Sequence, residues 1–319
     1  MIEQKQSDES LYSLVEAFFR NEFSTDNALI TEAVRRMLAA GGKRLRPRMT
    51  LLAAEASGAA AHDHLPLAAY MELIHVATLI HDDVVDKADT RRGVNATAVD
   101  YGNRISVLAG DYLFAWIFKN VTAQYPAPVP HILSSTLADI CDGEVLQLRA
   151  LGNLDLPLAD YVEVVLKKTA ALFAASAECG AIMSGASALR IKALRDYGLY
   201  YGVAFQMKDD LLDVTADEQT LGKPVANDLR ERKVTIPLIL ALAAGDREFR
   251  ALAERFYCGS GDDTELPAML AGIERHGGLD GTRDQIAQYA KRAQLSLAPL
   301  GTVPARGVLA GLAEALNRD

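Results

Sequence analysis

The sequence predicts an all-α protein, read as one domain over residues 1–319 with buried central helices and shorter peripheral ones. Three observations carry this. Apolar residues recur at helical spacing along almost the whole chain. Asn-Gly or Asp-Gly turns between alternating strands are missing, since Asp142-Gly143 and Asp280-Gly281 fall inside or between helical patterns. The composition, 50% hydrophobic and 24% charged with 11 Pro and 23 Gly, is that of a globular chain with enough apolar material for a sizeable core.

The elements follow in order. Leu11, Leu14, Val15 and Phe18 form a first stripe, and Ala33, Val34, Met37 and Leu38 a second that ends at Gly41-Gly42. Pro47 suits the first turn of a third helix, running through Met49, Leu51, Leu52 and Ala56 to Gly58. The run from Leu67 to Ile80 is apolar all round, which predicts a buried helix. Long helical patterns follow near 103–119, 129–149, 159–184 and 189–214. Within the third, YVEVVLKK is Val-rich and has a strand as its alternative, although it is embedded in a longer helical pattern. Turn-rich pieces at 150–158, 214–232 and 257–264 read as surface loops.

A net charge of -9 argues against a general nucleic-acid binder and fits a site that holds cations. Cys141, Cys179 and Cys258 are odd in number and far apart, forming neither a metal spacing nor a disulfide framework. A reducing cytoplasm is the expected location. The polar, acidic start is unlike a signal peptide, and no apolar run has the length of a membrane span.

Two acidic clusters set the chemistry. LIHDDVVDKADTRRG (79–93) and QMKDDLLD (206–213) each follow a strongly apolar segment, MELIHVATLI and YYGVAFQM. Asp82 and Asp86 are four apart and share a helix face, as do Asp209 and Asp213. Asp83 and Asp210 point about 100° away as supporting or alternative ligands. A lone acidic cluster is ordinarily a solvated helix face, but solvated faces are not expected beside such apolar runs. Carboxylates without Cys or clustered His favour Mg²⁺, with Mn²⁺ as the alternative, and Mg²⁺ recruits phosphates to complete its shell. GGKRLRPR (41–48) places Lys43, Arg44, Arg46 and Arg48 at a loop-to-helix junction suited to an anion. Arg91-Arg92 follow the first cluster; Lys167-Lys168-Thr169, Lys223 and Lys233 lie around the second. His75, seven residues before Asp82, is on roughly the same face, although a lone His in an apolar helix is more often a hydrogen-bonded core residue. His62-Asp63-His64 lies in an inter-helix loop and is read as bland.

With GGKRLRP, LIHDDVVDKADTRRG, GNRISVLAGDYL, GEVLQ, KTAALF, FQMKDDLLD, LGKP and KVTIP in this order, the chain resembles the trans-isoprenyl diphosphate synthases, or polyprenyl synthetases. The resemblance implies a helical bundle around a deep central cavity, with two Asp-rich motifs facing each other across its mouth. It implies head-to-tail condensation of isopentenyl diphosphate with an allylic diphosphate, farnesyl or geranyl, releasing pyrophosphate. Asp82, Asp86 and Asp209 would lead the Mg²⁺ ligands, with Asp83, Asp210 and Asp213 beside them. Lys43, Arg46, His75 and Arg92 match positions that hold isopentenyl diphosphate. Arg91, Lys168, Lys223 and Lys233 match those on the allylic diphosphate, and Thr169 and Gln206 match polar groups near the developing carbocation. Lys168, Thr169, Gln206 and Lys233 are thus the expected catalytic residues. One departure is Arg232, where the family usually has Gly before the lysine of its KxT stretch.

In the family a large aromatic four or five residues before the first Asp motif blocks the growing chain. Here those positions hold Ala77 and Thr78, with Ile74 and Met71 deeper. A long product follows from the resemblance, about C30 to C50, since small side chains leave room for it; the alternative is that they only let helices approach closely. The expected assembly is a homodimer, with a heterodimer as the alternative. A catalytic subunit inactive alone, a C15–C20 synthase by family analogy and a terpene cyclase are the competing readings, the last disfavoured by two DDxxD motifs together with GGKRLRP.

Overall fold

The computed structural model describes residues 13–91, 93–215, 226–258 and 264–318. A first helix, α1, covers 13–22. Of the expected stripe Val15 is buried, Phe18 half-buried and Leu14 exposed, with Phe19 buried beside them, and Leu11 lies outside the described residues. Helix α2 (Ala28–Ala39) opens on Asn27, whose side chain accepts the N–H groups of Leu29 and Ile30. It buries Ala33, Val34, Met37 and Leu38, the expected stripe. Helix α3 (Leu45–Ala56) carries Pro47 in its first turn, where a missing N–H leaves no helical bond unmade. Helix α4 (Leu65–Val85) is buried from Leu67 to Ile74 without a break and again at Val76, Ala77, Ile80 and Asp83.

The remaining helices of the first half are α5 (Thr97–Tyr101), α6 (Asn103–Gln124) and α7 (Pro128–Ala150). Helix α8 (Leu158–Val165) passes through a π-helical turn (Leu166–Ala170) into α9 (Ala171–Met183), and α10 covers Ala188–Thr215. Smaller helices follow: α11 (Asn227–Arg230), α12 (Ile236–Ala244), α13 (Arg247–Cys258), α14 (Leu266–Arg275), α15 (Gly278–Ser296) and α16 (Pro304–Glu314). YVEVVLKK is helical, as its embedding predicts; the π turn within it was not anticipated. Nor was a two-stranded antiparallel pair, β1 (Thr90–Arg91) and β2 (Val94–Asn95), in which Arg91 pairs with Val94. Gly93 allows it, because its φ of 78° is open to glycine at little cost. Among the described residues no helix is long and apolar enough to cross a membrane.

Backbone contacts divide the chain into two compact units. The first comprises Met1–Ser134, Ala175–Arg195 and Pro299–Arg306. Its centre is α4, packed on α3 and α6. Gly110 of α6 lets His81 lie against the helix, since a Cβ there would meet the imidazole Nε2 at 2.2 Å. Edge-to-face contacts join Phe18, Tyr70, Trp116 and Phe23. The second unit comprises Ser135–Ala174, Asp196–Ala298 and Gly307–Asp319. There Gly198 and Gly202 bring α10 onto the backbone of Phe173 and Ala170, which fixes α10 against the π turn. Tyr197 donates to the Leu309 carbonyl at 2.6 Å from full burial.

Candidate functional site

In the first unit, α4 ends on the first acidic cluster. Asp86 is its C-cap and donates its N–H to the Asp82 carbonyl at 2.8 Å, so the two half-buried residues lie one turn apart. Asp83 is different, with no exposure at all. Its Oδ1 accepts Arg91 Nε at 2.7 Å and pairs with Nη2 at 2.5 Å, while its Oδ2 has no hydrogen-bond partner. Burial raises its pKa, and Arg91 only partly opposes this. Asp83 thus faces inward and anchors the β1 strand, so Arg91, expected on a diphosphate, is here the partner of a carboxylate. Arg92 lies outside the described residues.

The basic loop leads into α3. Lys43 is exposed and Arg46 half-buried. Arg44 turns inward with 4% exposure and donates to Glu16, Glu72 and the Leu38 carbonyl. His75, half-buried, stands one turn along α4 from Glu72, and its carbonyl accepts the Thr78 hydroxyl at 2.8 Å. Met71, Ile74 and Ala77 have no exposure, and Thr78 is half-buried. His62 and Asp63 are exposed, and His64 lies 3.3 Å from the Ser184 hydroxyl, a local contact.

The second unit brings two of the expected catalytic residues, Thr169 and Gln206, into one hydrogen-bonded chain with Asp210 and Tyr161. Thr169 donates to Gln206 Oε1 at 2.9 Å; Gln206 Nε2 donates to Asp210 Oδ1 at 2.8 Å; Tyr161 donates to Asp210 Oδ2 at 2.5 Å. Burial pushes the Asp210 carboxyl up to about 6, against the two hydrogen bonds it accepts and with added repulsion from Asp209 and Asp213. Lys168 reaches Gln147 Oε1 at 2.6 Å and pairs with Glu144. The π turn presents Lys168 and Thr169; Gly143 permits it, because a Cβ there would sit 2.6 Å from the Lys168 backbone nitrogen.

Asp213 is buried, its Oδ2 accepting the Asp228 N–H at 3.0 Å, and Asp209 is half-buried. Lys233 pairs with Glu231 at 2.6 Å. Arg232 before it has φ 60°, the left-handed conformation in which glycine is at ease. The departure from the family's glycine is therefore a residue in a glycine's conformation. Lys223 lies outside the described residues.

Tyr161, Glu144, Gln147 and Glu72 were not assigned from sequence, and Arg44, read there as one of the cations suited to an anion, turns inward to Glu16 and Glu72. GEVLQ signalled Glu144 and Gln147, since it belongs to the pattern. No local signal marked Tyr161 or Glu72, whose partners are distant in the chain.

The donor set suits a hard divalent cation: carboxylate oxygens only, one of them, Asp83 Oδ2, buried and unsatisfied. Among the described residues no three His, Cys, Asp or Glu side chains converge as a ready cage.

Residues 27–271 match the polyprenyl synthetase family model. The chain is 39% identical over 307 residues to the octaprenyl diphosphate synthase of Escherichia coli (strain K12), covering 96% of this chain and 95% of that one. Its fold superimposes on the decaprenyl diphosphate synthase structure from Rhodobacter capsulatus with a TM-score of 0.91, 41% identity and coverage of 98% and 97%. The polyprenyl synthase of Caulobacter crescentus CB15, solved with calcium and isoprenyl diphosphate, gives 0.91 at 38% identity and covers 100% of this chain and 96% of its own. The chain belongs to the polyprenyl synthetase family.

Proposed function

We propose that this trans-prenyltransferase condenses isopentenyl diphosphate with an allylic diphosphate, farnesyl or geranyl, to give a long-chain all-trans polyprenyl diphosphate and pyrophosphate. The observation that carries the reading is the linked set Thr169, Gln206 and Asp210 within the second carboxylate cluster, with Lys168 next to Thr169 in the chain. Asp82, Asp86 and Asp209 would hold Mg²⁺, with Asp83, Asp210 and Asp213 supporting them; the Caulobacter relative, complexed with calcium and isoprenyl diphosphate, supports a divalent cation used together with a diphosphate. Bound Mg²⁺ supplies charge neutralisation on the leaving diphosphate.

The chain's own residues do the rest. Lys168 and Lys233 place fixed cations at the allylic diphosphate, where charge builds as the C–O bond ionises. The Thr169 hydroxyl and Gln206 carbonyl are oriented dipoles suited to the positive carbon left behind. Gln206 is held in one amide orientation, because its nitrogen must face Asp210 and its oxygen Thr169. Lys43, Arg46 and His75 would hold the second diphosphate. No side-chain base is required, since the departing pyrophosphate accepts the proton.

The small buried Ala77, with Thr78, Ile74 and Met71 on the same helix, supports a product of about C30 to C50 by leaving depth for the chain. A homodimer is supported by Val107, Leu108 and Tyr112, exposed along α6 at 40%, 54% and 37%. Its cysteines form no disulfide, in keeping with a cytoplasmic enzyme. The test is the purified chain with Mg²⁺, farnesyl diphosphate and labelled isopentenyl diphosphate, products resolved by length. A ladder ending at one long product is expected; no incorporation by folded protein sinks the self-sufficient reading in favour of a missing partner subunit.

A further inference from the structure

Arg44 is the most buried cation of the basic loop, and its side chain engages the protein's own carboxylates. Its Nε donates to Glu16 Oε1 at 2.8 Å, its Nη1 to Glu72 Oε1 at 3.0 Å and its Nη2 to the Leu38 carbonyl at 2.9 Å. The guanidinium also lies 5.3 Å from the Phe19 ring centre. Side-chain exposure is 3% for Arg44, 2% for Glu72 and 16% for Glu16. Two carboxylates therefore surround one guanidinium, and Glu72 Oε2 is buried with no hydrogen-bond partner. Such a cluster is poor economy as mere glue, because apolar residues of similar volume commonly hold a core as well or better.

Backbone geometry shows what the cluster does instead. Arg44 has φ 47° and ψ 40°, a left-handed conformation that costs a side-chain-bearing residue about 1 kcal/mol. It follows two glycines at positive φ, Gly41 at 78° and Gly42 at 149°. The chain is thus bent sharply just before α3, and the Arg44 carbonyl still accepts the first helical N–H, from Arg48 at 3.2 Å. With the Arg44 side chain drawn inward, its neighbour Lys43 is exposed and Arg46 half-buried. Glu72, the anchor, is three residues before His75 on α4, hence one helical turn away. A single ion pair ties the loop bearing Lys43 and Arg46 to the helix bearing His75.

We propose that Arg44 and Glu72, braced by Glu16, form a positioning clamp that registers Lys43 and Arg46 against His75, so that the three grip one diphosphate. The proposal rests on the reading of Lys43, Arg46 and His75 as the isopentenyl diphosphate site. Arg44 itself touches no substrate. A guanidinium suits this task because its planar fork fixes two carboxylates and a carbonyl at once, which a lysine cannot reproduce.

The test is steady-state kinetics on the full-length protein with each substrate varied in turn, alongside thermal melts. Glu72→Gln is expected to raise the KM for isopentenyl diphosphate about tenfold, and the less buried Glu16→Gln about threefold, as expected for weakened charged hydrogen bonds that hold a binding loop. The KM for the allylic diphosphate should stay within about twofold for both, a split that loss of folded enzyme does not produce. If Glu72→Gln fails to fold, Glu16→Gln decides. A Lys43→Ala variant separates the two layers. If Lys43→Ala leaves the isopentenyl KM unmoved, the site assignment falls and the clamp with it. If Lys43→Ala raises it while Glu16→Gln and any folded Glu72→Gln do not, the clamp alone is overturned.

Discussion

Tyr161 on α8 donates its hydroxyl to Oδ2 of Asp210 on α10 at 2.5 Å, with both side chains buried. Forty-nine residues separate them in sequence. A phenol so placed fixes which way the carboxylate faces, and Asp210 in turn fixes Gln206. Tyr161→Phe leaves one buried oxygen unsatisfied and is expected to destabilise the protein by about 1–3 kcal/mol. It should also weaken divalent-ion binding, read as Mn²⁺ affinity by electron paramagnetic resonance in the presence of pyrophosphate. Loss of stability with unchanged Mn²⁺ affinity would confine Tyr161 to the core.

Asp210 also predicts a pH dependence. Its carboxyl is raised from 3.8 to about 6 by burial first and by Asp209 and Asp213 after it. Its protonated form therefore favours the folded state: the contribution is complete below about pH 4 and lost as the pH climbs through about 6. In EDTA-treated protein the Tm should fall over that window, and Asp210→Asn should flatten the fall while lowering activity. An equal slope in the variant would assign the effect to another group.

Arg232 predicts a gain. At φ 60° its side chain works against the backbone, and its carbonyl is already engaged by the Gly152 N–H at 2.8 Å. Arg232→Gly should raise stability in chemical denaturation by about 0.5–1 kcal/mol and leave kcat within about twofold. A lower midpoint would show that the side chain contributes more than the conformation costs.

Ala77 predicts a change of product. Ala77→Phe should shorten the chain-length distribution with turnover retained. A variant that melts early and still makes the full-length product would mean that Ala77 only fills the core, where added bulk costs about 1–3 kcal/mol.

Much of this was legible in the sequence, for physical reasons that differ by element. Helices α4, α6, α7 and α10 declared themselves because burial imposes a helical repeat on their residues. Asp82 and Asp86 were legible as a pair because their relationship is local, four residues on one helix. The pairing of Asp83 was not legible, since its partner Arg91 comes from a turn closed by Gly93. Arg44 was read as one of a set of basic residues; only the fold brings Glu16 and Glu72 to it. The bonds that orient Lys168, from Gln147 and Glu144, likewise cross 21 residues or more. Periodicity reports which face is buried, and it is silent about which buried polar atoms meet.

The π turn at Leu166–Ala170 has a consequence for how this region tolerates length change. A wider turn holds one residue more than an α-helix would, and each residue advances an α-helix by about 100°. Deleting one residue from 166–170 would let α8 run into α9 as an unbroken helix, with Val164 and Phe173 both kept on their present buried faces. The same deletion would swing Lys168 and Thr169 away from Gln147 and Gln206. Here, then, the chain carries a removable residue: one whose loss is expected to leave a well-formed helix while undoing the contacts of Lys168 and Thr169.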